Sequence, residues 1–232
     1  MRLQISVLGL ALAAASVLGG SCAVLGPEGI VIDTRIPLDR LRAEIRIEPA
    51  ETAGQVRATA LFSDTLGRAV RLGDDQSVTL NGVPLRPVGL GPAYGALLPW
   101  ADAYDVTVRE PTRGVETTNV AGLAAFEITA PGDGGAVSLL GFQLEWSGTA
   151  TGQEVELELA QTFGGQRAVT RIGPETDTGR RVLEAADLRK FVQGADLEIT
   201  VRKLRTSTAV AGFRSATVTV EVVAERMATP RP

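Results

Sequence analysis

Over residues 41–48 apolar and charged positions alternate strictly, with Leu41, Ala43, Ile45 and Ile47 on one face and Arg42, Glu44, Arg46 and Glu48 on the other. A period of two predicts a strand buried on one side and solvated on the other. Pro49 ends the run. Residues 55–61, 69–72, 77–80, 83–85, 94–100, 104–109 and 115–120 continue the series and give a first set of about seven short strands. Residues 123–130 open a second set, closed by the turn formers Pro131-Gly132-Asp133-Gly134-Gly135. Residues 141–146, 154–161, 167–172, 180–183, 195–202 and 215–223 follow. The sharpest local signal is Asn81-Gly82 between two apolar runs, since both residues tolerate the positive φ angles of a two-residue type I′ hairpin. Residues 184–192 are the one plausible helix; it is short, and Leu188 is expected to plug the crossing between two late strands.

Turn signals at this spacing predict an all-β chain of two antiparallel β-sandwich domains. The expected division is a first sandwich over 39–121 and a second over 122–228. Residues 23–38, with Gly26, Pro27, Gly29 and Pro37 and little periodicity, read as the tether that leads to them from Cys22. The second half resembles a fibronectin type III or immunoglobulin-like sandwich in its strand count, its early tryptophan Trp146 and the apolar Leu188 shortly before a long strand. It departs from that pattern in having Leu197 where a tyrosine is expected and in lacking the immunoglobulin disulfide.

The N-terminus sets the expected location. Arg2 precedes an apolar run over 5–18, then Gly19-Gly20-Ser21 lead to Cys22, the only cysteine of the chain. This order of basic, apolar and small residues is that of an export signal. The site resembles a bacterial lipobox, although Leu18 stands one place earlier than the aliphatic residue of that pattern. The resemblance implies cleavage after Ser21 and two or three acyl chains on residue 22, enough for stable anchoring. Ala23 in the following position implies sorting to the outer membrane, as in enteric bacterial lipoproteins. Ordinary cleavage after Ser21 or Ala23, or an uncleaved anchor, remain as alternatives. Loss of residues 1–21 takes away one base, Arg2, and leaves 22 Lys and Arg against 27 Asp and Glu, a net charge of −5. That balance opposes binding to nucleic acid.

The chain contains no histidine. Ser-His-Asp and Cys-His catalysis and imidazole-bound zinc are thereby excluded, and no glycine-rich nucleotide cradle is present. No cofactor is expected. Asp177-Thr178-Gly179 matches the aspartic protease tripeptide, in which two aspartates share a proton. Here Gly173-Pro174-Glu175-Thr176 replaces the apolar strand that should lead in, Arg180-Arg181 follows, and no second copy exists. The expectation is an ordinary turn whose carboxylate accepts local bonds, so that Asp177→Asn costs about 1 kcal/mol or less. Asp74, Asp75 and Asp133 are weak candidates for a calcium site. Tyr94, Trp100 and Tyr104 cluster near Pro99, where rings could stack on a sugar or a partner protein, with core packing the commoner use. Glu154, Glu156 and Glu158 should be the solvated side of a strand, and Trp146 should be core. The chain as a whole resembles exported bacterial proteins with tandem sandwich modules. It is expected to be a non-catalytic binding or structural module, joined to membrane lipid through Cys22, with an envelope protein or glycan as partner. A carboxylate hydrolase at Asp177 is the alternative.

Overall fold

The computed structural model describes residues 36–89 and 91–231, so Cys22 and the expected signal segment lie outside the described residues. Sixteen strands follow in chain order: β1 (Arg42–Pro49), β2 (Gln55–Ser63), β3 (Ser77–Leu80), β4 (Val83–Pro84), β5 (Arg86–Pro87), β6 (Tyr94–Pro99), β7 (Ala103–Glu110), β8 (Gly114–Ala121), β9 (Ile128–Ala130), β10 (Gly135–Ser138), β11 (Gly141–Trp146), β12 (Glu154–Phe163), β13 (Gln166–Thr176), β14 (Arg180–Glu184), β15 (Leu197–Ser207) and β16 (Ser215–Arg231). Alternation made these strands, and burial follows it. Ala43, Ile45 and Ile47 of β1 are inside and Arg42, Glu44 and Arg46 outside. Val155, Leu157 and Leu159 of β12 are buried opposite the glutamates. A single turn of α-helix, α1 (Ala185–Leu188), sets Leu188 into the core as its position in the sequence suggested.

The strands form three sheets, none closed into a barrel, and the architecture is an all-β sandwich. The large sheet runs β13-β12-β15-β16-β1-β2-β6-β5, with β10 beside the far end of β16. A four-stranded sheet, β4-β3-β7-β8, and a three-stranded sheet, β14-β11-β9, supply the opposing layers. Buried side chains from all three sheets form one continuous hydrophobic cluster. The chain changes layer at Leu85, between β4 on β3 and β5 on β6. It does so again over 122–127, where Leu123 and Phe126 are buried three residues apart. A strand expected over 123–130 therefore begins only at Ile128. The expected strand at 69–72 is reduced to one bridge, Ser63 to Ala69.

Asn81 (φ 49°) and Gly82 (φ 77°) both take positive φ and join β3 to β4, with Leu80 opposite Val83. β16 is the longest strand, at 17 residues. Its first part, Ser215 to Val220, lies parallel to β1, while Val218 to Ala228 pairs antiparallel with β15. Ala228 to Arg231 then lies parallel to β10. The boundary expected at 121/122 is thus spanned by a strand hydrogen-bonded on both sides of it. Phe213, just before β16, stacks on Phe62 of β2 (ring centroids 5.8 Å apart). At Gly212 (φ 87°) a β-carbon would come within 3.0 Å of Val108, so glycine lets this loop lie directly on β7.

Candidate functional site

β15 continues its inward parity through Leu197, Ile199 and Val201 to Lys203, and the lysine is as buried as the aliphatic residues before it (1 % exposed). A buried ammonium is tolerated only when it is paired and all its protons are accepted. Lys203 Nζ donates to Ser147 O (2.6 Å) and Gly148 O (2.7 Å) and forms an ion pair with Asp177 Oδ2 (3.0 Å). It also stands 4.6 Å from the Phe126 ring centroid, in cation–π range. The carbonyls come from the loop after β11, which turns there through Gly148.

Asp177, whose side chain is fully enclosed, is equally saturated. Its Oδ1 accepts from Trp146 Nε1 (2.7 Å) and from Gly179 N two residues on (3.0 Å). Its Oδ2 pairs with the Lys203 ammonium and, with the Gln153 amide nitrogen turned toward it, accepts from Gln153 at 3.2 Å. In that orientation Gln153 Oε1 accepts from Arg205 Nη2 (3.2 Å), and Arg205 Nη1 donates to Gly122 O (3.1 Å). The Asp-Thr-Gly segment is therefore a hub joining β11, the start of β12, β15 and the 122–127 crossing. This corrects the expectation of a turn with local bonds only. The Gly179 bond is the local one, and the other three reach across the molecule. Trp146 is core, as expected, and its indole N–H has the partner that a buried tryptophan requires.

The other candidates fall elsewhere. Tyr94 is buried, edge-on to Phe62 (5.2 Å), and its hydroxyl accepts from Leu72 N (2.8 Å). Tyr104 is buried, its hydroxyl accepts from Ala101 N (3.3 Å), and burial, reinforced by the Asp102 charge, raises its pKa. Neither ring offers a face to a ligand, and Trp100 is half-buried against the same core. The structure thus returns the three aromatics to packing. Asp74, Asp75 and Asp133 are exposed, and among the described residues no group of three or more Cys, Asp or Glu side chains is placed to hold a metal ion. No described helix is long and apolar enough to cross a membrane.

The outer face of the β12–β15–β16 region carries a shallow groove of about 560 Å³ lined by Glu158, Arg167, Glu198, Arg202, Glu225 and Arg226, among others. Most of its charges are already engaged with one another. Arg167 pairs with Glu198 (2.8 Å), and Glu158 takes Arg171 (2.9 Å) and Arg202 (3.6 Å). Burial opposes ionisation of Glu158, but the Arg171 hydrogen bond and the charges of Arg171, Arg202 and Arg167 outweigh it and lower its pKa. Glu221 is raised instead: burial outweighs the lowering by the Arg202 and Arg46 charges, with smaller repulsion from Glu48 and Glu156. A second polar knot, which sequence reasoning missed, is Asp64. It accepts from Leu66 N, Arg68 N and Arg68 Nε (2.9, 2.9 and 2.7 Å).

No family model matches this chain, and no curated protein matches it in sequence.

Proposed function

We propose that this protein is an exported lipoprotein, held at the membrane through Cys22, whose β-sandwich body serves as a non-catalytic binding or structural module of the bacterial envelope. The observation that carries the non-catalytic part is the saturation of the Asp177 and Lys203 pair. A proton-sharing carboxylate dyad needs a second carboxylate and a free lone pair. Asp177 instead has an ammonium as its charged neighbour and three further donors on its two oxygens. The absence of histidine supports the same reading, as does a groove whose charges are largely paired internally. The anchor rests on Cys22, the single cysteine, directly after the apolar run and its small residues. Two or more acyl chains there would give stable membrane attachment. The immunoglobulin-like character of each half and the outer membrane as destination belong to this proposal.

Membrane fractionation of cells that express the wild type and Cys22→Ser, with mass spectrometry of the N-terminal peptide, tests it. The wild type should sediment with membranes and carry acyl mass on residue 22, and the variant should appear in the soluble fraction. A membrane-bound wild type without lipid defeats the anchor. Peptide hydrolysis by the purified protein at mildly acidic pH, abolished in Asp177→Asn, defeats the non-catalytic reading.

A further inference from the structure

We infer that the free edge of β8 is a self-association surface that pairs antiparallel with β8 of a second copy of this chain. Sheet edges invite pairing unless shortened, charged, bulged or covered. The described edges are mostly guarded. β4 and β5 have two residues each and include Pro84 and Pro87. β9 and β10 have three and four. β14 opens with Arg180-Arg181. β13 is long, but its pairing shifts register, it contains Pro174, and Lys190 Nζ caps Val169 O on it (3.0 Å). β8 has eight residues, unbroken register with β7, no proline, no basic residue and one acid, Glu116.

Two hydrogen bonds determine which groups it presents. Gly122 N donates to Asp102 O (2.7 Å) and Asn81 N to Asp105 O (3.0 Å). With the registers on either side of β7, these make residues 104, 106, 108 and 110 face β8 and residues 105, 107 and 109 face β3. On β8 the main chain of Gly114, Glu116, Thr118 and Val120 is therefore spent on β7. Val115, Thr117, Asn119 and Ala121 turn their four N–H and four C=O groups outward, and their side chains are exposed. Among the described residues nothing bonds to these outward main-chain groups, and Ala211 N reaches β8 only at a side chain, donating to Thr118 Oγ1 (3.0 Å). The described residues ahead of β1 reach only the turn between β7 and β8, where Leu38 N donates to Glu110 Oε1 (3.2 Å) and Asp39 pairs with Arg113 (3.2 Å).

A second copy fits in one register that satisfies all eight groups. Centred on Thr118, the two-fold places Val115 opposite Ala121 and Thr117 opposite Asn119 in the hydrogen-bonded pairs. Glu116 then faces Val120, and Thr118 faces its own mate. No like charges meet, and the β-branched and small side chains suit cross-strand packing.

The test uses residues 22–232 with Cys22→Ser, which is cysteine-free, in sedimentation equilibrium across micromolar to millimolar concentration. A monomer–dimer equilibrium is expected. Thr117→Lys/Asn119→Lys, two exposed changes that set lysines opposite each other twice, should weaken the dimer about tenfold or more without altering the circular dichroism. Register is read separately. Thr118→Cys should cross-link on mild oxidation, because a non-hydrogen-bonded pair sits about 4.5 Å apart at Cα, within disulfide reach. Val115→Cys, about 20 Å from its mate in this register, should not. A protein that stays monomeric, a dimer indifferent to the two lysines, or cross-linking of Val115→Cys as ready as that of Thr118→Cys would each overturn the inference.

Discussion

Replacing Lys203 by methionine keeps the length of the side chain and removes its charge and three donors. Asp177 is left with no exposed surface and no direct counter-ion, since Arg205 reaches it only through Gln153. Ser147 O and Gly148 O lose their partner as well. Removing one member of a buried pair typically costs about 3–5 kcal/mol. A stranded carboxylate can always be neutralised by a proton, and at pH 7 that costs a carboxyl of ordinary acidity about 4 kcal/mol, which caps the charge part. The expected loss is therefore about 3–5 kcal/mol out of a total stability of about 5–15 kcal/mol. In urea, with a slope of about 2–3 kcal/mol per molar for a chain of this size, the midpoint should fall by about 1–2.5 M at pH 7. Asp177→Leu should fall comparably. The double variant should lose less than the two singles together by about 2 kcal/mol, because it strands no charge. A loss below about 1 kcal/mol for Lys203→Met, or strict additivity, would refute the claim that the pair is a closed structural knot.

The Asp64 carboxyl resists protonation. Burial works against its charge, but Arg68 N, Arg68 Nε and Leu66 N together with the Arg68 charge hold its pKa below the ordinary value. Its contribution should be complete above about pH 3.9 and fade as pH falls through the lowered folded value, so the urea-midpoint gap between wild type and Asp64→Asn should close in acid. A gap that widens in acid would contradict this. Glu221 has the opposite sign: its folded pKa is raised, chiefly by burial. Relative to Glu221→Gln, the wild type should gain stability as pH falls from neutrality toward about 4.3, as read by thermal unfolding across that range. A fragment ending at residue 121 lacks the strand that covers β1 and the ring that stacks on Phe62. It should show weak, non-cooperative unfolding by circular dichroism, whereas addition of β15 and β16 in the intact chain restores a sharp transition.

Most of the strands could be read from the chain because alternation is a local property. Residues 141–146 and the start of β2, β3 and β12 follow from it directly, and Asn81-Gly82 carried its own turn chemistry. The second half of β16 could not be read that way. Residues 224–231, Ala-Glu-Arg-Met-Ala-Thr-Pro-Arg, have little apolar rhythm, and while β15 is the strand just before them, their other partner, β10, lies far away in sequence. The Asp177 hub was hidden for a related reason: three of its four partners, Trp146, Gln153 and Lys203, stand 24 to 31 positions distant along the chain. One signal was present. Lys203 extends the apolar parity of 197, 199 and 201, and a lysine in that phase demands a buried acid somewhere. In a chain with only two lysines, that demand narrows the search to a carboxylate without an obvious place in the solvent.

β16 also has a mechanical meaning. It is about 50 Å long at the usual rise of a strand, and β1 lies parallel to its first six residues. Tension between the beginning of β1 and the end of β16 pulls two parallel neighbours in opposite senses along their common axis. The rungs between Arg42 and Ser215 and onward to Ile47 and Val220 are then strained together in shear, instead of opening one after another like a zip. A chain tethered ahead of residue 42 and gripped near residue 231 would meet a pull with that whole ladder at once.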